Sequence, residues 1–331
     1  MHRRSFLTGA AAVTLATADA LARNTLHQGI PDSTFIRSAA SSSPGSADHL
    51  KPMSLGLLIK PSPQPEVAIA RVKELGFDNC FLSLDAYLGK YTKALAQQMG
   101  GLLEKYGITA TTAEVVGPGK LVWDFVDGPS TIGIVPPATR TARMDALKQT
   151  SDFAKMLGVG QIQTHCGFIP EDPKDPLYEG TVLAIRELAK HCAGNGQAFL
   201  METGQETPTT MSRAIHDVDQ PNLGVGLDTA NLILYGKANP VDAVTIIGPH
   251  VRSIHAKDGK WPTNPMKLGE EVLIGTGDVN FQQVFSKLHA LGYQGAVTIE
   301  RETSGPQQIA DVKSEKLYLD RVLTPILNQK A

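Results

Sequence analysis

From residue 54 to the end of the chain, short apolar runs alternate with amphipathic stretches. The runs fall at 54–60, 79–84, 108–116, 160–167, 197–203, 223–229, 251–257 and 295–301, each the length of a buried strand. Helical periodicity between them predicts helices at 65–75, 92–106, 141–157, 178–193, 240–247 and 281–291. Gly76, Gly107, Gly158, Gly194 and Gly292 stand where helix stops are expected. Strand-helix alternation implies parallel strands joined by right-handed crossovers, and eight such units predict a single-domain (β/α)8 TIM barrel. An open doubly wound sheet is the alternative, but no GxGxxG turn follows the first strand.

Four runs in the C-terminal half end in a hard metal-binding side chain: Glu202 in AFLMETGQE, Asp228 in LGVGLDTAN, His255 in VRSIHAKDG and Glu300 in AVTIERE. In a parallel barrel the C-terminal strand ends converge on one face. Three carboxylates and an imidazole there form an octahedral-type site, for Mn²⁺ first and Mg²⁺ or Co²⁺ as alternatives, rather than a closed zinc site. Two remaining positions suit adjacent carbonyl and hydroxyl oxygens of a sugar. The ion would polarise the carbonyl and stabilise the enolate left when the α-proton departs. Glu202 and Glu300 are the candidate acid/base residues, because their strands flank the substrate. Two bases permit epimerisation; one base working on a single face permits aldose–ketose isomerisation. The plainer reading is a structural polar cluster.

Further polar residues surround this set. Gln163 and His165 alternate at the end of the fourth run and are candidate substrate contacts, although a lone strand His is often a satisfied core residue. Glu206 and Asn231 follow Glu202 and Asp228 closely and are candidate partners of sugar hydroxyls or of the ligands. Lys257, Asp258 and Lys260 follow His255, and Glu114 ends the third run. Two long connections, 117–138 and 258–280, should overhang the same face. Trp123, Phe125 and Trp261 within them suit stacking on sugar rings, or simply pack the loops onto the rim.

The first residues read differently. Arg3 and Arg4, a weakly apolar run to Ala18 and Ala20-Leu21-Ala22 predict a twin-arginine export signal over 1–22, and so a periplasmic protein. The run is too short to span a bilayer, and no second apolar segment approaches that length. Residues 23–51 carry Ser-Ser-Ser-Pro-Gly-Ser and read as a flexible leader, with the barrel over 52–331. The formal charge of −2 and the lack of basic runs argue against a nucleic-acid partner. Cys80, Cys166 and Cys192 do not form a disulfide framework.

With these residues in place, the chain resembles the xylose isomerase-like TIM-barrel superfamily, the sugar phosphate isomerase/epimerase group, over roughly 54–327. The segments carrying the likeness are METGQET at 201–207, GLDTANL at 226–232, HAKDGK at 255–260, GTGDVNF at 275–281 and TIERE at 298–302. The resemblance implies Glu202, Asp228, His255 and Glu300 as metal ligands, the first and last as acid/base residues, and a homodimer. Ketose epimerases of the group usually place a His where this chain has Asn231, and an Arg where it has Lys257, Asp258 and Lys260. Substrate anchoring is therefore expected to differ. An exported member is expected to act on a non-phosphorylated carbohydrate, as an isomerase or epimerase. The alternative is a 3-keto-glycoside lyase or hydratase, where the same enolate expels a group instead of regaining a proton. A non-catalytic carbohydrate-binding barrel is a lesser alternative.

Overall fold

The computed structural model describes residues 50–328. The expected signal at 1–22 and nearly all of the expected leader at 23–51 lie outside the described residues. The elements run β1 (Leu55–Ile59), α1 (Pro65–Glu74), β2 (Asn79–Ser83), α2 (Lys93–Tyr106), β3 (Thr109–Glu114), α3 (Gly128–Thr131), α4 (Pro137–Met156) and β4 (Gln161–Thr164). Then follow α5 (Tyr178–Gly194), β5 (Ala198–Glu202), α6 (Pro208–Val218), β6 (Leu223–Asp228), α7 (Asn231–Leu234), α8 (Pro240–Ile247) and β7 (Val251–Ala256). The chain ends with β8 (Asp258–Lys260), β9 (Glu270–Val272), α9 (Phe281–Ala290), β10 (Val297–Ile299) and α10 (Gly305–Leu327). Eight strands close in the order β1-β10-β7-β6-β5-β4-β3-β2, each pair parallel, as the alternating pattern predicts.

Differences from expectation are local. Gly194 is the last residue of α5, and the chain leaves the helix through Gly196 at φ 73° instead. Only a residue without Cβ adopts that conformation at no cost. The long connections are not irregular throughout. The first contains α3, and the second folds into the antiparallel β8–β9 hairpin. All three cysteines are buried and free.

The barrel axis is filled by side chains, and a glycine makes room for one of them. A Cβ on Gly226 would sit 2.1 Å from Gln163 Oε1, so Gln163 of β4 occupies the space over β6. Gln163 is fully buried and its Nε2 donates to Glu202 Oε2 at 3.2 Å, so it cannot swing away freely. Gly226→Ala is expected to destabilise the protein by about 1–3 kcal/mol through overpacking. It should also weaken metal binding by releasing Glu202. Denaturant unfolding and Mn²⁺ titration of the variant check both; unchanged stability and affinity would refute the packing account.

A second fold-level consequence concerns α10. Glu315 is buried, its Oε1 accepts from Ile274 N at 3.3 Å, and Oε2 has no donor. Burial pushes its pKa up to about 7; the Ile274 amide and the Arg301 guanidinium 3.8 Å away oppose this, while Asp311 and Glu271 add to it. The folded state therefore keeps a proton that the unfolded chain releases near pH 4.5. Stability from this residue is present below that pH and falls as pH rises towards 7. Glu315→Gln is expected to gain about 1–3 kcal/mol on wild type between pH 4.5 and 7.5. Chelator-treated protein unfolded at several pH values tests it; parallel pH profiles would overturn it.

Candidate metal centre

Glu202 and Asp228 are the last residues of β5 and β6, His255 is one residue from the end of β7, and Glu300 immediately follows β10. The four strands are neighbours in the barrel, with Glu202 opposite Gly226, Asp228 opposite His255, and His255 opposite Thr298. One ligating atom from each of the four lies within 4.8 Å of all the others. All are buried except Glu300, which is half-buried.

His255 reaches this layer through an irregularity. Val225 pairs with Val251 but Gly226 with Ser253, so Arg252 is an extra residue in β7. This bulge lets Arg252 lean over Gly224 below while His255 faces the axis beside Asp228. Phe81 of β2 packs its ring edge-on to the imidazole at 4.4 Å between centroids, fixing the ring plane.

The electrostatics are those of acids held in a dry, crowded space. Asp228 Oδ1 accepts from Ala230 N and Asn231 N, both at 2.8 Å, whereas Oδ2 is buried without a donor. Burial raises its carboxyl well above the usual range; Lys257 opposes this, and Glu300 and Glu202 reinforce it. Glu202 and Glu300 are also penalised by burial, but cations outweigh it. His165 and His255 hold Glu202 down to about 2, and Lys257 and His255 keep Glu300 well below normal. His255 Nδ1 lies 3.3 Å from Glu202 Oε1 and 3.1 Å from Glu300 Oε2. The donorless Asp228 Oδ2 and Glu300 Oε2, with three hard carboxylates and one imidazole, fit a divalent cation of the Mn²⁺ or Mg²⁺ type.

Most of the other candidates are gathered around this quartet. His165 Nε2 is 3.3 Å from Glu202 Oε2, and Asn231 Nδ2 donates to Glu202 Oε1 at 3.4 Å. Lys257 Nζ, buried, lies 2.8 Å from Glu302, 3.6 Å from Glu300 and 3.8 Å from Asp228. Glu114 is buried, and burial followed by the charge of Glu202 drives its carboxyl well up. Glu206 is buried with neither oxygen hydrogen-bonded to another side chain, and burial lifts it to about 8. Trp123 overhangs the site, its ring 4.9 Å from that of His165.

Two candidates are not brought there, and a third makes no contact with the quartet. Asp258 spends its carboxylate on the backbone amides of Gly259, Gly275, Gly277 and Val279, clamping the loop after β9. One residue beyond Lys257 on a strand, its side chain must face the other way. Lys260 is exposed and pairs with Asp278 at 2.8 Å. Trp261 is exposed just past β8, with no ring partner among the described residues. The sequence reading missed Glu302, the closest partner of Lys257, and Gln205, whose amide meets His165 Nδ1. Strand parity flags Glu302, two residues after Glu300; nothing in the sequence flags Gln205.

A family model described as a xylose isomerase-like TIM barrel matches residues 69–321. A xylose isomerase domain protein from Planctomyces limnophilus has a solved structure that superposes with TM-score 0.79 at 33% identity, covering 84% of this chain and all of that one. An uncharacterised protein of Methanocaldococcus jannaschii is 30% identical over 202 residues, 58% of this chain; the chain spans 65% of that relative's length. The 3-keto-D-glucoside 4-epimerase YcjR from E. coli shares the fold at TM-score 0.59 and 15% identity, covering 81% of this chain and 99% of that one. A D-psicose 3-epimerase solved in the presence of D-fructose is another fold neighbour, at TM-score 0.62 and 19% identity over 82% of this chain and 99% of that one.

Proposed function

The chain belongs to the xylose isomerase-like TIM-barrel family, and from that premise we propose that it is a divalent-metal-dependent sugar isomerase or epimerase acting on a non-phosphorylated carbohydrate. The observation carrying this reading is the quartet of Glu202, Asp228, His255 and Glu300, each at its strand end and within 4.8 Å of one another. These four would hold the metal. A divalent cation bound there supplies Lewis acidity towards a sugar carbonyl.

The protein's own groups would handle the proton. Glu202 and Glu300 stay ionised at neutral pH, so either can accept one from the carbon beside the carbonyl. Gln163, His165 and Asn231 hold Glu202 in place from three sides. Lys257 does the same for Glu300 and would set its orientation towards the substrate. Trp123, stacked edge-on to His165, would cover the sugar and exclude water. Export to the periplasm, as the expected twin-arginine segment would direct, would fit a substrate without phosphate, since sugar phosphates are cytoplasmic metabolites.

Incubating Mn²⁺-loaded protein with free ketoses and 3-keto-glucosides in D₂O, with and without chelator, tests the proposal by NMR. Chelator-sensitive deuterium uptake with isomer formation is the expected result. Chelator-sensitive release of an aglycone would reassign the chemistry to β-elimination through the same residues. No exchange over a broad keto-sugar panel would sink the reading.

A further inference from the structure

Helices pack on their neighbours around much of the barrel, α9 on α10 and α1 on α2, and α1 and α10 flank a seam where the first and last strands meet. A cavity of about 450 Å³ occupies this seam. Leu57, Ile59, Ala68, Leu75, Ile309 and Val312 give it an apolar lining. Its other walls come from Pro63, in the β1–α1 connection, and from Glu300 and Glu302 after β10, both at the C-terminal face. Glu300 is also one of the quartet, and the Lys257 ammonium spans Glu300 and Glu302. Cavity and candidate metal centre therefore share a wall.

Ser62, Gln64, Thr303 and Ser304 also line the cavity, whereas Arg301 and Gln308 are committed elsewhere. Arg301 is held by Glu271 and Asp311, and Gln308 donates to the Arg301 carbonyl at 2.8 Å. Lys60 and Arg71 lie at its edge, exposed to solvent. A sugar ring buried against the leucine, isoleucine and valine lining would leave its hydroxyls unpaired, at substantial cost. Water held against that apolar part gains few partners for the same reason. An apolar group gains free energy from the same burial, and the volume is that of a small-molecule site.

We propose that the seam between α1 and α10 is a subsite for an apolar substituent on the sugar, so that the substrate is a glycoside with an aryl or alkyl aglycone. The sugar ring lies over the quartet and the aglycone passes Glu300 and Glu302 into the cavity. This inference rests on the carbohydrate reading of the quartet and specifies its substrate class.

Calorimetric titration of the Mn²⁺-loaded protein with methyl and 4-nitrophenyl glucosides, both anomers of each, tests it. The aryl glucoside of one anomer is expected to bind at least about tenfold tighter than its methyl counterpart. Ala68→Phe, which fills the cavity from α1, should erase that preference and leave methyl glucoside affinity unchanged. Ile309→Trp fills it from α10 and serves where the first variant does not fold. Equal affinity of wild type for the two glucosides, or a preference that survives both fillings, overturns the subsite alone. Absence of binding by either glucoside overturns the subsite as well, while the carbonyl chemistry of the quartet stands or falls separately on the deuterium-exchange experiment with keto-sugars.

Discussion

Mn²⁺ added to metal-free protein is expected to raise its thermal midpoint by about 5–10 °C, and Asp228→Asn to abolish the rise. Ligand at a hundred times its dissociation constant stabilises by about 2.7 kcal/mol, and a domain of this size gains roughly 2–4 °C per kcal/mol. The variant isolates charge from architecture. Asparagine keeps an oxygen to accept from the amides of Ala230 and Asn231, so the turn after β6 is retained. It removes a carboxylate that is fully buried beside two others, with Lys257 the nearest cation at 3.8 Å. In chelator, Asp228→Asn should therefore melt at or above wild type, the reverse of the usual outcome for a buried substitution. Differential scanning calorimetry with and without Mn²⁺ separates the two effects. A variant that still gains the full Mn²⁺ increment would show that the quartet does not bind the ion.

Glu300→Gln is the second large effect, expected to cut the rate of α-proton exchange by about 10²–10⁴-fold, the range for loss of a positioned base. The amide can still offer an oxygen as a ligand but cannot take a proton. Metal content and exchange rate should thus part company: binding weakens moderately while exchange nearly stops. Glu302→Gln is the internal comparison, since Glu302 touches Lys257 and its side chain is 58% exposed. Deuterium incorporation measured at equal metal occupancy decides it. If metal-loaded Glu300→Gln exchanges as fast as the Glu302 variant, the base lies elsewhere.

The barrel and the quartet were legible because each rests on a local rule. A strand buried on both faces leaves an apolar run, and a ligand at its C-terminal end is a polar residue that interrupts that run. Gly107 and Gly158 mark helix ends for an equally local reason, a left-handed backbone that they adopt without strain. What stayed hidden depends on the third dimension. Asp258 looked like a companion of Lys257, but its four amide donors come from as far along the chain as Val279. Gln205 meets His165 only because β4 and β5 are adjacent in the sheet. The seam cavity is still less visible, because its walls come from both ends of the domain and no periodicity links them.

The extra residue in β7 has its own consequence for how this protein tolerates change. Loss of Arg252 would let Val251 and Ser253 face consecutive residues of β6, restoring even alternation while His255 stays opposite Asp228. β5 has no such slack: it pairs with both neighbours in unbroken register, so loss of one residue before Glu202 would turn that carboxylate away from the axis. A family alignment that gaps β7 by a single position before His255 would thus still describe barrels able to assemble the quartet, whereas the same gap in β5 would not.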